Sequence, residues 1–202
     1  MAQSPPPPPP TPLAPFTFSP TLSAFNVPMT TYLSSLPLPH QHLPHQAIAS
    51  GALIFTPSTN TLLILQRAAS DSSPNKWEIP GGGVDLTDET ILHGVAREVL
   101  EETGLVVTHI KRLVGPREGL SFVTRRGLRV VKFAFEVEVK REGDVEGVGE
   151  VKLDKNEHQR FLWAGEEECR SARMEDGYEL VFTGKTHQEC ILEGFRLRRE
   201  GK

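Results

Sequence analysis

Three glutamates, Glu98, Glu101 and Glu102, fall within five positions near the end of an amphipathic segment, just before Gly104. On a helix that turns about 100° per residue, the three carboxylates share an arc roughly 100° wide, and this arc borders the apolar stripe. Like charges at these spacings repel one another, and the carbonyl end of a helix disfavours anions. A bound cation would compensate for both effects. Ligands that are all oxygen favour Mg²⁺ or Mn²⁺.

A run of three glycines, Gly81 to Gly83, precedes this helix. Glycine lets the backbone turn tightly and approach a ligand closely, and it leaves carbonyl groups free to bind metal. Mg²⁺ held by a few carboxylates usually keeps water ligands and recruits phosphate oxygens. The pattern therefore favours a cation site that binds phosphates. The alternative is an ordinary solvated acidic helix after an ordinary glycine turn.

Hydrophobic periodicity predicts the elements that position these residues. The acidic helix is expected to begin at a cap on Thr87 or Asp88 and to end at Thr103, with Gly104 at the C′ position. A second amphipathic helix is expected at 186–199, after a helical turn at 166–172. The predicted strands are 47–55, 61–66, 77–80, 105–114, 128–139 and 161–164. A mixed sheet with helices on either side is an α/β layered sandwich.

The first part of the chain has a different composition. Residues 1–66 contain no Asp, Glu, Lys or Arg, and 13 of the 17 prolines fall in residues 1–46. Each proline removes a hydrogen-bond donor and fixes φ, which disfavours helix and central strand. We therefore predict a disordered or polyproline II tail over residues 1–46, ahead of a folded domain over residues 47–202. The tail is either inert or binds an SH3, WW or profilin-like partner.

The overall composition argues against several classes of protein. A net charge of −4 does not favour a partner that is a nucleic-acid polymer. The two cysteines, Cys169 and Cys190, are too few for a disulfide framework. No apolar run approaches the roughly 20 residues of a membrane span, and the first 46 residues lack the features of a secretory signal. We expect a cytoplasmic protein, with the nucleus as the alternative.

The spacing of nine residues resembles the Nudix box, Gly-x5-Glu-x7-Arg-Glu-U-x-Glu-Glu-x-Gly-U, in which U is a bulky aliphatic residue. The matching residues are Gly83, Glu89, Arg97, Glu98, Val99, Glu101, Glu102, Gly104 and Leu105. The preceding segment, residues 77–82, resembles the strand and Pro-Gly-Gly of the family. Glu157, followed by the aromatic residues 161–163, resembles a later strand of the family. The resemblance covers roughly residues 47–200.

The resemblance implies an α/β/α sandwich that hydrolyses a nucleoside diphosphate linked to another group, such as a nucleoside triphosphate or a nucleotide sugar. It implies that Mg²⁺ or Mn²⁺ is held by four residues, Gly83, Glu98, Glu101 and Glu102. It also implies structural roles for three further members of the box, Glu89, Arg97 and Gly104. Among these, Glu89 and Arg97 are expected to hold the loop and the helix together through ion pairs and hydrogen bonds.

In the implied mechanism a metal-bound water attacks one phosphorus atom, and a carboxylate accepts the proton of the water. Glu98 and Glu102 are the candidates for this base within the box, and Glu101 completes the catalytic set through the metal. Outside the box, Glu157, Glu150 and Glu146 remain candidates. We favour Glu157 because it precedes the aromatic strand.

The substrate is less well defined than the reaction. Pro116 lies at a poor distance for the proline of ADP-ribose hydrolases, and Phe122 stands where dinucleoside polyphosphate hydrolases tend to have tyrosine. Two alternatives to an enzyme are a nucleotide-binding module without turnover and a scaffold whose proline tail recruits partners. The intact glutamates of the box favour the enzyme. Deletion of residues 1–46 is the test that would separate the enzyme from the scaffold.

Overall fold

The computed structural model describes residues 13–36, 44–140 and 149–201. The strands are β1 (Thr17–Phe18), β2 (Ala47–Ile54), β3 (Leu62–Arg67), β4 (Trp77–Glu78), β5 (Val107–Val114), β6 (Leu120–Val123), β7 (Arg129–Val139) and β8 (His158–Ala164). The helices are α1 (Met29–Ser35), α2 (Ile91–Thr103), α3 (Glu166–Ser171) and α4 (Lys185–Arg199), with a 3-10 helix over Pro20–Phe25. Within the described ranges, no helix has the length and apolar character needed to cross a membrane.

Two sheets form the centre of the fold. The larger sheet has the order β1-β5-β7-β2, with β6 also paired to β7. In this sheet β2 runs parallel to β7, and β5 runs antiparallel to it. The smaller sheet is antiparallel and places β3 between β4 and β8. The sheet content is therefore mixed, as predicted.

Hydrophobic clusters lie on both sides of the sheets. Alternate residues of a strand point to opposite faces, and β3 follows this rule. Leu63 and Leu65 pack in the cluster that contains α2, whereas Leu62 and Ile64 pack in the cluster that contains α4. The prediction of an α/β/α sandwich is confirmed.

Most predicted elements end within three residues of the observed ones. The strands predicted at 47–55 and 61–66 are joined by a short connection, but β2 and β3 do not form a hairpin. Instead β2 pairs with β7 over its whole length, and β3 belongs to the other sheet, with an isolated bridge between Phe55 and Leu62. The short strands β1 and β6 were also not predicted.

Residues 13–36 pack against the domain, which differs from the predicted disordered tail. Strand β1 pairs with β5, and three apolar side chains, Leu22, Phe25 and Met29, are at most 8% exposed. The prolines occupy positions that tolerate them, because Pro20 begins the 3-10 helix and Pro28 precedes α1. The other parts of the predicted tail, residues 1–12 and 37–43, lie outside the described residues.

Candidate active site

Helix α2 carries the three glutamates and has well-defined ends. It begins at Ile91, because the side chain of Thr90 accepts a hydrogen bond of 3.3 Å from the N–H of His93. The predicted cap on Thr87 or Asp88 was therefore two or three residues too early. The helix ends at Thr103 and is followed by Gly104, whose φ of 69° is left-handed and whose N–H donates to the carbonyl of Leu100. The predicted C′ role of Gly104 agrees with this geometry.

The glycine loop touches two of the three glutamates. The N–H of Gly81 donates to Oε2 of Glu102 at 2.7 Å. Gly81 has a φ of 142°, and a Cβ there would lie 2.4 Å from the carbonyl oxygen of Ser50, so glycine is required at this position. A Cβ on Gly82 would lie 2.6 Å from Oε2 of Glu98. The loop therefore packs directly over the carboxylates.

The guanidinium of Arg97 joins three of the four predicted metal ligands. Its Nη1 donates to Oε1 of Glu98 and to Oε2 of Glu101, each at 2.9 Å. Its Nη2 donates to the carbonyl oxygen of Gly83 at 2.8 Å. These contacts fix the orientation of both glutamates and tie the loop to α2. The remaining predicted ligand, Glu102, binds Gly81 instead.

Asp88 holds Arg97 in this position. Its Oδ1 and Oδ2 accept hydrogen bonds of 2.9 Å from Nε and Nη2 of Arg97, and the Asp88 side chain is 5% exposed. These hydrogen bonds are the main reason that the pKa of Arg97 lies above its ordinary value. Asp88 fits here because Gly94 faces it, and a Cβ on Gly94 would lie 2.8 Å from Oδ2. A paired and buried carboxylate of this kind orients Arg97 and is itself shielded from solvent.

Glu89 does not take the structural role that the resemblance implied. Its side chain is 81% exposed, and its ionic contact is with Nε2 of His93 at 3.6 Å. The reason is that α2 begins only at Ile91, which leaves Glu89 outside the helix and turned toward solvent. The ion pair with Arg97 falls to Asp88, one residue earlier. Arg97 itself does hold the loop to the helix, as expected.

The carboxyl groups of this cluster are strongly perturbed. The pKa of Glu102 is raised to about 9, mainly by burial and also by neighbouring carboxylates, against the hydrogen bond from the Gly81 N–H. Burial also raises the pKa of Glu98 to about 7, against the favourable charge of Arg97. At Glu98, burial and the neighbouring carboxylates therefore outweigh the charge of Arg97. A set of carboxylates whose negative charge is not fully compensated fits a hard divalent cation.

Glu157, the favoured base outside the box, lies in the same cluster. Its carboxylate is exposed, and its charge raises the pKa values of both Glu98 and Glu102. One ligand atom from each of Glu102, Glu157 and His158 lies within 4.8 Å of the others. By contrast, Glu150 pairs with Lys152 at an exposed position. Glu146, the third candidate, lies outside the described residues.

Two buried residues of the site, Glu78 and His158, were missed by the sequence interpretation. Glu78 Oε1 lies 2.5 Å from Nη1 of Arg67 and 3.4 Å from Nε2 of His158. Both side chains are largely buried, at 9% and 2% exposure. The available signal was an ionisable residue in the short apolar strand β4 and a histidine directly after Glu157. The predicted strand began at residue 161, which hid His158 in a loop.

Comparison with known proteins identifies the family. A family model described as "NUDIX domain" matches residues 45–182, which is more than half of the chain. The rat protein "Bis(5'-nucleosyl)-tetraphosphatase [asymmetrical]" is 36% identical over 120 residues, which cover 59% of this chain and 74% of the rat protein. The zebrafish protein "m7GpppN-mRNA hydrolase NUDT17" is 43% identical over 79 residues, which cover 37% of this chain. That match spans only 26% of the length of the zebrafish protein.

A solved structure agrees with these sequence matches. The MutT protein of Methanosarcina mazei Go1 superimposes with a TM-score of 0.53 at 28% identity, covering 80% of this chain and 99% of that protein. The fold, the spacing of the acidic helix and the family model all point the same way. The chain belongs to the Nudix family.

Proposed function

We propose that this protein is a Mg²⁺- or Mn²⁺-dependent hydrolase that cleaves a diphosphate bond in a nucleoside diphosphate linked to another group. The observation that carries the proposal is the buried acidic cluster beneath the glycine loop, in which the pKa values of Glu98 and Glu102 are raised to about 7 and about 9. Perturbed groups of this kind are concentrated at functional sites. The names of the rat and zebrafish relatives, a bis(5'-nucleosyl)-tetraphosphatase and an m7GpppN-mRNA hydrolase, support the same reaction class.

The cation in this proposal is held by carboxylates of α2, with Glu98, Glu101 and Glu102 as ligands and the carbonyl of Gly83 as a further donor. Oε2 of Glu98 and Oε1 of Glu101 are the oxygens that Arg97 does not engage. When bound, a divalent cation would lower the pKa of water and neutralise charge on the phosphoryl oxygens. The raised pKa values are the reason to expect this, because a dication removes the repulsion between the carboxylates.

The residues of the chain supply orientation and proton transfer. Arg97 fixes Glu98 and Glu101, and Asp88 fixes Arg97 through two buried hydrogen bonds. A general base must be able to reach water and be ionised at the working pH. We propose Glu157 for this role, because its carboxylate is exposed to solvent beside the buried cluster. Glu98 is the alternative base, with a pKa of about 7.

The nucleoside part of the substrate is proposed to enter a neighbouring cavity of about 210 Å³. This cavity is lined by Ile79, at the start of the glycine loop, and by Phe122 and Lys132, which offer a ring and a cation. His187 also lines it, and Nε2 of this histidine accepts the N–H of Ile79. Burial lowers the pKa of His187 well below its ordinary value, so the ring is neutral and its Nδ1–H can donate. An apolar cavity with a few donors suits a planar base that carries acceptor groups.

The test is a hydrolysis assay on the full chain with Mg²⁺ and product identification. The substrates are a dinucleoside tetraphosphate, a cap dinucleotide, nucleoside triphosphates, ADP-ribose and a nucleotide sugar. Glu102→Gln should lower the rate on the preferred substrate by at least about 10²-fold, whereas the matched exposed variant Glu150→Gln should retain it. The absence of hydrolysis across the whole panel, or a normal rate for Glu102→Gln, would contradict the proposal.

A partner for the proline run stays a prediction, since residues 1–12 lie outside the described residues. The deletion that tests it must also be shorter than first expected. Removal of residues 1–46 would take away the packed residues Leu22, Phe25 and Met29 together with the run. Removal of residues 1–12 alone separates partner binding from folding.

A further inference from the structure

His158 is a buried histidine with one ring nitrogen that makes no hydrogen bond. It opens β8, and its side chain is 2% exposed. Nε2 lies 3.4 Å from Oε1 of Glu78, a long hydrogen bond, whereas Nδ1 is shielded from solvent and has no partner. A buried polar atom without a partner is unfavourable, and one at a candidate site calls for an explanation.

The surroundings of His158 orient its ring. Glu78 accepts from Nη1 of Arg67 at 2.5 Å, and this ion pair holds the carboxylate in place. A carboxylate beside Nε2 favours the tautomer that carries its proton on Nε2. In this tautomer Nδ1 carries no proton, and its lone pair is available to a ligand. Histidines that bind metals commonly show this arrangement, in which the second ring nitrogen donates to a carboxylate.

His158 belongs to a compact group of possible ligands. Single ligand atoms from Glu102, Glu157 and His158 lie within 4.8 Å of one another. Ligand atoms that bind one ion at roughly 2.0–2.3 Å lie roughly 3–4.5 Å apart. A small side-chain movement would therefore bring the three around a single ion. Glu157 and His158 are adjacent in the chain, and the N–H of Asp154 donates to the carbonyl of Glu102, which ties their loop to α2.

We propose that His158 is a nitrogen ligand for a divalent cation that is shared with Glu102 and Glu157. This inference rests on the proposed cation-dependent function and changes its ligand chemistry, because the sequence alone suggested oxygen ligands only. With Glu157 as a ligand, the general base is Glu98, the alternative already named for that role. Mg²⁺ strongly prefers oxygen, whereas imidazole nitrogen suits transition-metal ions. The site should therefore bind Mn²⁺ more tightly than Mg²⁺. The competing explanation is that His158 only links β8 to β4 through Glu78.

Pulsed electron paramagnetic resonance on the full chain, loaded with less than one equivalent of Mn²⁺, tests the ligand directly. Wild-type protein should show modulation from a directly bound ¹⁴N nucleus, and this modulation should vanish in His158→Gln. The matched control is His109→Gln, whose side chain contacts Thr17 on β1, and it should keep the modulation. Calorimetry should show that His158→Gln weakens Mn²⁺ binding at least about tenfold and Mg²⁺ binding less than about threefold.

Several results would overturn the inference. His158 would be a positioning residue, and the proposed function would stand, after any one of three results. These are Mn²⁺ bound without nitrogen modulation, modulation retained in His158→Gln, and an equal loss of Mn²⁺ and Mg²⁺ affinity in that variant. No Mn²⁺ binding by wild-type protein would reject both proposals. If His158→Gln fails to fold, paramagnetic broadening in wild-type protein decides the question. Mn²⁺ should broaden the ring resonances of His158 before those of any other histidine.

Discussion

The assignment of Asp88 as the partner of Arg97 can be tested by comparing Asp88→Asn with Glu89→Gln. The two changes remove one negative charge each from adjacent positions. Asp88 is 5% exposed and makes two 2.9 Å hydrogen bonds to Arg97, whose side chain is 16% exposed. Glu89 is 81% exposed, and its ionic contact within the described ranges is with His93 at 3.6 Å. Comparing the two variants therefore distinguishes the loss of a buried ion pair from the loss of a solvated one.

The expected magnitudes differ by several fold. Removing one partner of a buried ion pair costs about 3–5 kcal/mol. Asparagine keeps one acceptor oxygen but turns an NH₂ group toward the guanidinium, so we expect a loss of about 3 kcal/mol for Asp88→Asn. For a domain of this size that corresponds to roughly 6–12 °C in melting temperature. An exposed pair contributes about 0–1 kcal/mol, so Glu89→Gln should shift the melting temperature by less than about 4 °C.

Thermal and urea unfolding in EDTA, followed by circular dichroism, would measure both variants without a contribution from bound metal. The urea series gives the free energy of unfolding directly, and an unchanged m-value would show that the denatured state is comparable. A loss for Glu89→Gln that equals or exceeds the loss for Asp88→Asn would refute the assignment. It would mean that Glu89 forms the ion pair with Arg97, as the box spacing alone implied.

Three further predictions concern protonation, catalysis and the N-terminal segment. In EDTA the melting temperature should fall as pH rises from about 5 to about 9. The reason is that Glu98 and Glu102 stay protonated in the folded state up to pKa values of about 7 and about 9, whereas their ordinary value is 4.5. Glu102→Gln should make the melting temperature less dependent on pH, and an unchanged dependence would show that Glu102 does not cause it. Glu101→Gln should lower kcat by about 10²-fold or more. Its melting temperature should change little, because the Glu101 side chain is 55% exposed. A near-normal kcat would show that Glu101 is not a catalytic residue. Deletion of residues 1–12 should leave the melting temperature unchanged. Deletion of residues 1–36 removes three buried side chains worth about 1.5–3 kcal/mol each and should lower the melting temperature by more than about 10 °C. If the protein without residues 1–36 melts like the full chain, residues 13–36 do not pack against the domain.

The sequence predicted the elements whose pattern is local. The alternation of Val131, Phe133 and Phe135 marks β7, because each of these side chains faces the same core. The acidic arc of α2 follows from helical spacing alone, and Gly104 follows from the need for a left-handed residue after a helix. These features depend on residues close together in the chain, so a single sequence contains the information.

The features that were missed depend on contacts between distant segments or on where a helix begins. Counting positions in the box assigned the ion pair to Glu89, but the cap at Thr90 decides which acid faces Arg97. The role of His158 depends on β8 and β4 pairing with β3 on either side, which brings Glu78 within reach. Residues 13–36 have no strong periodicity of their own, and they become ordered because the sheet offers Phe25 a site against Phe133 and Phe135.

The two-residue strand β1 has a consequence for how the protein can be handled. It covers part of the outer edge of β5, while the glycine loop covers β2 at the opposite side through the hydrogen bond from Val84 to Ile48. An uncovered strand edge recruits strands from other molecules. A shortened version that begins at residue 47, the predicted start of the folded domain, would lack β1 and expose the edge of β5, and it should aggregate in concentrated solution even if each copy still folds.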